Sequence, residues 1–210
     1  VKDIITSTGS SYPSSLTVFD GKIYFSADDG SNGIELWKSD GSETGTVLLN
    51  DINSGSSSSS PNQFKIFNSK LYFKATSSDG TELWKTDGSS SGTIQIKDIN
   101  SGSASSHPYG FVIVNSKLYF TATTSTYGQE LWVTDGSWSG TVQVKDINDD
   151  SSGAASSNPQ GFVAINNVLY FAATGGAYGT ELWKSDGSDT GTVRVKDIES
   201  GSGSSWPSNL

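Results

Sequence analysis

The frame Gly-x-Glu-Leu-Trp-x-Ser/Thr-Asp-Gly-Ser-x-x-Gly-Thr-Val/Ile occurs four times in 210 residues, beginning at Gly33, Gly80, Gly128 and Gly179. A short polar-apolar strand pattern follows each copy and ends in Asp-Ile. It places Asp51, Asp98, Asp146 and Asp197 at equivalent points and Asp3 at a fifth, with separations of 48, 47, 48 and 51 residues. Self-similarity at this period along a whole chain is the signature of a repeat architecture. The approximate units are 5–51, 52–98, 99–146 and 147–198, taken together as one domain, and residues 195–210 return to the phase of residues 1–16.

Within a repeat the signals are those of strands. In residues 110–147, "GFVIVN" is a β-branched run, "SK" a turn and "LYFTAT" an alternation of large apolar with smaller residues. The loop "TSTYGQ", the run "ELWVTD", the turn "DGSWSG" and the run "TVQVKDI" complete four strands in about 48 residues, a unit length that matches propeller repeats. Val142 and Val144 alternate with Gln143 and Lys145, so the fourth strand is expected to have one wet face and to form the outer edge of its sheet. No stretch has helical periodicity. Four antiparallel strands per repeat describe an all-β fold, a β-propeller in which each small sheet buries its faces against its neighbours.

The frame's residues have folding roles in this scheme. Asp40-Gly41, Asp87-Gly88, Asp135-Gly136 and Asp186-Gly187 are turns in which glycine takes positive φ and the aspartate holds local amides. Trp37, Trp84, Trp132 and Trp183 are large enough to fill the wedge between adjacent blades. The 23 aromatic residues supply much of the buriable area in a chain that is only 33% hydrophobic.

Charge and composition exclude some partners. Thirteen basic and 22 acidic residues give a net charge of −9 with no Lys/Arg stripe, which disfavours nucleic acid and anionic membrane. No apolar run approaches the roughly 18 residues of a membrane span. The absence of cysteine removes disulfides, thiolate nucleophiles and thiolate metal sites. With no methionine either, Val1 is expected to be a processed end or a cut through a longer array. An acidic, Ser/Gly-rich chain without oxidisable sulfur fits an extracellular or cell-surface location.

The four copies, "GIELWKSDGSETGTV", "GTELWKTDGSSSGTI", "GQELWVTDGSWSGTV" and "GTELWKSDGSDTGTV", resemble the ELW-x-x-DGT repeat of bacterial secreted and cell-surface proteins. This chain has Ser where that family usually has Thr after Asp-Gly, which leaves the turn reading intact. The resemblance implies export and a repeat scaffold, and it implies no reaction.

Chemistry has few candidates. Glu35, Glu82, Glu130 and Glu181 recur beside the tryptophans, and carboxylate pairs can hydrolyse glycosides. A catalytic pair is a single convergent feature, however, whereas an acid in every repeat is expected to bond backbone or lysine. The only histidine, His107, lies in a Ser/Pro loop with no acid or nucleophile arranged around it in sequence. "DINDDSSG" places oxygen side chains at Asp146, Asn148, Asp150 and Ser152 in the manner of a calcium loop. It lacks glycine at the sixth position, Ser151, and an acid at the twelfth, Ser157. No cofactor is therefore expected, calcium being the one alternative.

Recognition has more to work with. The residue before the recurrent proline varies, as Tyr12, Ser60, His107, Asn158 and Trp206, while its surroundings hold. Tyr12, His107, Asn158 and Trp206 are the candidate ligand-binding positions. With Tyr127, Tyr178 and Trp138 on other loops, the aromatics among them are suited to stacking on sugar rings; the plain alternative is a tolerant loop. The ends carry a further signal, since "VKDIESGSGSSWPSNL" (195–210) aligns without a gap to "VKDIITSTGSSYPSSL" (1–16). In a closed ring of four blades these segments are rivals for one slot. The chain is thus read as a non-enzymatic structural or adhesive building block that self-associates through its terminal segments into a filament or larger ring, with a lectin-like module as the alternative.

Overall fold

Two-residue turns between alternating runs set the strands. Asp20-Gly21, Asn68-Ser69, Asn115-Ser116 and Asn166-Asn167 all hold both residues at positive φ, between 46° and 69°, the hairpin turn whose twist matches that of the strands it joins. The turn in the third repeat is therefore Asn115-Ser116 and not Ser116-Lys117, because asparagine enters the left-handed region more readily than lysine. The computed structural model describes residues 1–6, 8–149 and 154–208. Among these residues it is all-β, with four four-stranded antiparallel sheets and one 3-residue 3₁₀ turn, Gly176–Tyr178. Among the described residues no helix is long and apolar enough to cross a membrane.

The sheets follow the repeats in simple up-and-down order. The first contains β1 (Ser14–Phe19), β2 (Lys22–Asp28), β3 (Ile34–Ser39) and β4 (Val47–Asn50). The second contains β5 (Asn62–Phe67), β6 (Lys70–Ser77), β7 (Gly80–Thr86) and β8 (Ile94–Lys97). The third contains β9 (Tyr109–Val114), β10 (Lys117–Thr124), β11 (Gly128–Thr134) and β12 (Val142–Lys145). The fourth contains β13 (Gln160–Ile165), β14 (Val168–Thr174), β15 (Thr180–Ser185) and β16 (Val193–Arg194). The chain divides into two compact units, Val1–Ser105 and Ser106 onward, each holding two sheets.

Both edge ladders slip by a residue in the first three sheets, and the first-strand ladder does so in the fourth as well. Each first strand breaks register where Ser15, Gln63, Gly110 and Gly161 stand at positive φ, the mark of a bulge. The third and fourth strands slip opposite Leu36/Trp37, Leu83/Trp84 and Leu131/Trp132. Val142 and Val144, which alternation alone places alike, consequently end differently: Val144 is buried and Val142 exposed.

Each unit has its own core, formed where one sheet's face meets the next. In the first unit Tyr24, Leu36, Leu49 and Ile52 of the first sheet and its trailing linker pack against Leu71, Phe73, Ala75 and Trp84 of the second. In the second unit Tyr119, Leu131, Val144 and Ile147 pack in the same way against Leu169, Phe171, Ala173 and Trp183. The tryptophan of the later sheet thus stands at the joint with the earlier one, and the bulk of the indole is buried apolar area.

Candidate functional site

The Asp-Gly turn is a closed set of local bonds, and every fixed letter of the frame from its Ser/Thr to its last Thr has a part in it. In the first repeat Ser39 Oγ accepts the Gly41 N–H at 3.0 Å and meets Thr46 Oγ1 at 2.7 Å. Asp40 Oδ1 accepts the Ser42 N–H at 2.9 Å and the Ser42 hydroxyl at 2.6 Å, and Ser42 Oγ accepts the Gly45 N–H at 2.9 Å. Thr46 then donates to the Ser42 carbonyl at 2.7 Å. The Ser42 hydrogen bonds hold the Asp40 carboxyl below its ordinary range, and Asp87, Asp135 and Asp186 are lowered by the equivalent serines. Gly41 is required by a φ of +92°. Gly45 is required by space, because a Cβ there would run into the Asp40 carboxylate.

The recurrent glutamate does a second job, clasping one sheet to the linker that leads into the next. Glu35 is fully buried. Its carboxylate accepts the Ile52 N–H at 2.8 Å, the Ser59 N–H at 2.8 Å and the Ser59 hydroxyl at 2.5 Å. The carbonyl of the same Ser59 accepts the Thr76 N–H of β6 at 2.9 Å, so one serine bonds both sheets of the first unit. Glu130, Ser157 and Thr174 repeat this in the second unit, with Ile147 donating to Glu130 at 3.0 Å. Glu82 accepts the Ile99 N–H at 3.0 Å. Burial pushes the Glu35 carboxyl up, and it pushes Glu130 up to about 7 against the pull of the Ser157 and Ile147 hydrogen bonds, with Asp146 adding repulsion. At Glu181 burial also raises the carboxyl, but the bonds from Ser205, Ile198 and Glu199 outweigh it and the net shift is downward.

These serines are the residues sequence reasoning missed. Their signal was present as Ser-Ser-x-Pro, repeated five times at Ser10, Ser58, Ser105, Ser156 and Ser204 inside otherwise variable linkers. The first serine of the pair also has a fixed partner: Ser58, Ser105, Ser156 and Ser204 accept the N–H of Ile34, Thr81, Gln129 and Thr180.

The four tryptophans of the frame contribute chiefly volume, since none of their indole N–H groups finds an acceptor among the described residues; the Lys2 ammonium stands over the Trp37 ring at 5.8 Å. Trp84 and Trp183 lie in the two inter-sheet cores, while Trp37 packs with Phe25 and Ala27 under Ile4 and Leu48. The Asp-Gly turns also reach the preceding sheet. Gly88 lies against the Tyr24 hydroxyl and Gly187 against that of Tyr119, and Lys38 donates to the Gly88 carbonyl at 2.8 Å. Lys145 pairs with Asp189 at 3.1 Å across the equivalent joint. Desolvation raises both tyrosines, with the charges of Asp20 and then Asp87 adding to it at Tyr24 and that of Asp186 at Tyr119.

The variable pre-proline residues share one unusual conformation. Tyr12, Ser60, His107, Asn158 and Trp206 all hold φ between 45° and 49°, a region costly for residues with a Cβ, most of all before proline. All five side chains are exposed, Tyr12 and Trp206 to 67%. Tyr12, Ser60, His107 and Asn158 precede the first strand of a sheet, and Trp206 bonds the Thr180 carbonyl at the start of β15, so all five stand at the same sheet end as the loops bearing Tyr127 and Tyr178. Trp138, on the turn between β11 and β12, stands at the opposite end. The Arg194 guanidinium covers one face of Tyr178, 3.6 Å from the ring centroid. Asp150 and Ser152 of the calcium-like stretch, with Ser151, lie outside the described residues. Asn148 bonds the Ser156 carbonyl at 3.1 Å and the Gly176 N–H at 2.8 Å.

The two ends hold complementary halves of the clasp. Ser205 makes the glutamate half, its N–H and hydroxyl reaching Glu181 at 3.1 and 2.7 Å. Ser11 makes the other half, its carbonyl accepting the Asp28 N–H of β2 at 2.9 Å.

A scan against protein-family models gives no match, and a search of curated proteins gives none either. Among solved structures the chain is similar to a puromycin hydrolase mutant complexed with PGG, at 13% identity and a TM-score of 0.54 over 93% of this chain and 31% of that one. It is similar to Pyrococcus horikoshii acylaminoacyl peptidase at 15% identity and 0.52, over 89% and 27%. A prolyl endopeptidase matches at 12% and 0.52, over 91% and 27%. The chain spans less than a third of the length of these proteins, and the likeness is one of fold.

Proposed function

We propose that this chain is a non-enzymatic extracellular scaffold, of the ELW-x-x-DGT kind, whose sheets are blades of a β-propeller and whose work is structural or adhesive through association with its own copies. The repeated clasp carries the reading: Ser59 and Ser157 each bond a glutamate of the sheet before and a strand of the sheet after, so each sheet is built to join another. The recurrent acids support it as well. Three of the four glutamates are seen clasping a serine and all four turn aspartates hold their own loops, which accounts for their repetition without chemistry. Similarity to peptidases at this identity transfers fold and no activity. Light scattering after size exclusion over a hundredfold concentration range tests the proposal. Growth of mass above 22 kDa is expected, and a constant monomer overturns it.

The alternative is a glycan-binding module. It is favoured by the left-handed backbone that displays Tyr12 and Trp206, strain of a kind that gathers at ligand sites. A glycan array on wild type and Trp206→Ala separates the two readings, because only the second predicts binding that this change removes.

A further inference from the structure

The outer face of the fourth sheet is built like a joint, and its apolar residues are exposed among the described residues. Val195 and Ile198 are 44% and 54% exposed, whereas their counterparts Leu49, Ile52, Val144 and Ile147 are 8% or less. Tyr170 is half-buried where Tyr24 and Tyr119 are buried. The edge strand β16 has two residues where β4, β8 and β12 have four. On the facing side of the repeat interface, Gly41 is exposed, while Gly88 and Gly187 are shielded by a tyrosine hydroxyl from the preceding sheet. A groove of about 280 Å³ opens beside it, with Ile4, Ile23, Phe25 and Gly41 in its wall.

Resting on the self-association reading above, we infer that the fourth sheet docks on the first sheet of a second copy, its Val195–Ile198 segment taking the place held there by Val1–Ile4. The two segments are both Val-Lys-Asp-Ile. Ile4 lies on Phe25, Ala27 and Trp37 of the first sheet, and Lys2 extends to the Thr46 carbonyl at 3.3 Å. Ile52 and Ile147 occupy the equivalent slots on the second and fourth sheets.

Transferring the observed joints residue by residue gives the contacts. Tyr170, like Tyr24 and Tyr119, meets the glycine of the next turn, here Gly41. Lys184, like Lys38, donates to that glycine's carbonyl. Lys196, like Lys145, pairs with the acid two residues further on, here Glu43 in the place of Asp189. Lys184 and Lys196 are exposed on one face, and Asp40 and Glu43 on the other, so the charges are complementary. Ser205 then offers its carbonyl to the Asp28 N–H in place of Ser11, completing a clasp across two chains.

Identical segments thereby acquire opposite effects. In sedimentation velocity on the full chain, Ile198→Asp should weaken association at least tenfold, while Ile4→Asp, which loosens the resident segment, should strengthen it. Lys196→Glu should weaken it and the added change Glu43→Lys should restore it, with circular dichroism confirming that each variant folds. Association indifferent to all four variants overturns the docking face and leaves self-association standing. No association by wild type or Ile4→Asp at any concentration removes both. Since the chain has no cysteine of its own, a Glu43→Cys/Lys196→Cys chain reports the partner directly. Cross-linking within single chains at high dilution overturns the second copy as the occupant, and cross-linked dimers sustain it.

Discussion

A carboxylate enclosed by protein keeps its charge only if hydrogen bonds replace the water it has lost, and the two recurrent glutamates of the second unit settle that balance in opposite ways. Glu130 is raised to about 7 and Glu181 is lowered. Glu130→Ala leaves the Ile147 and Ser157 donors unpaired in a buried site. It should cost about 3 kcal/mol or more in urea unfolding, and Glu181→Ala, whose donors Ile198 and Ser205 are less buried, about half as much. The raised group also fixes a pH dependence. Its folded value lies above the unfolded 4.5, so its contribution is complete below about 4.5 and is lost as pH rises through 7, about 3 kcal/mol in all. The turn aspartates have the opposite sign, because their lowered values stabilise above about 3.8 and that support is lost in acid. Thermal melts should therefore be highest between about pH 4 and 5, and Glu130→Gln should flatten the decline on the alkaline side. Gly140→Ala drives a methyl into the Asp135 carboxylate and should cost about 1–3 kcal/mol by overpacking.

For the strands and turns, most of the structure was legible in sequence. The periods of two placed four short strands in each repeat, because backbone and side chain ask for the same geometry there; in the third repeat the runs lie within two residues of β9–β12, with the hairpin turn one residue earlier than read. Linkers were opaque for a physical reason. Ser-Ser-x-Pro has the composition of a flexible segment, and its order comes from a glutamate some 24 residues away in sequence, which no local pattern encodes. The left-handed pre-proline residues were equally hidden, since proline biases its predecessor toward extended backbone. Packing at the joint gives a direct test. Trp183→Ala opens the core of the second unit and should cost about 3–5 kcal/mol. Trp37→Ala should cost less, because one isoleucine and one leucine cover its cluster of Phe25 and Ala27.

At the scale of the whole molecule, charge and the exposed face act against each other. Each copy carries −9, so two copies repel at long range, while the single Lys196–Glu43 pair at an exposed joint is worth about 0–1 kcal/mol. Screening should relieve the repulsion more than it weakens the pair. Association is therefore expected to increase from 10 to 150 mM salt, over which the Debye length falls to about 8 Å, and light scattering at the two salts checks the sign. The Glu35–Ser59–Thr76 bridge has a mechanical consequence within the first unit. A chain pulled from its ends loads that serine from both sides, through its side chain toward one sheet and through its carbonyl toward the other. Tension should therefore be borne at the bridge before either sheet unravels, giving a stepwise yield under an optical trap, with one rip for each bridge that parts.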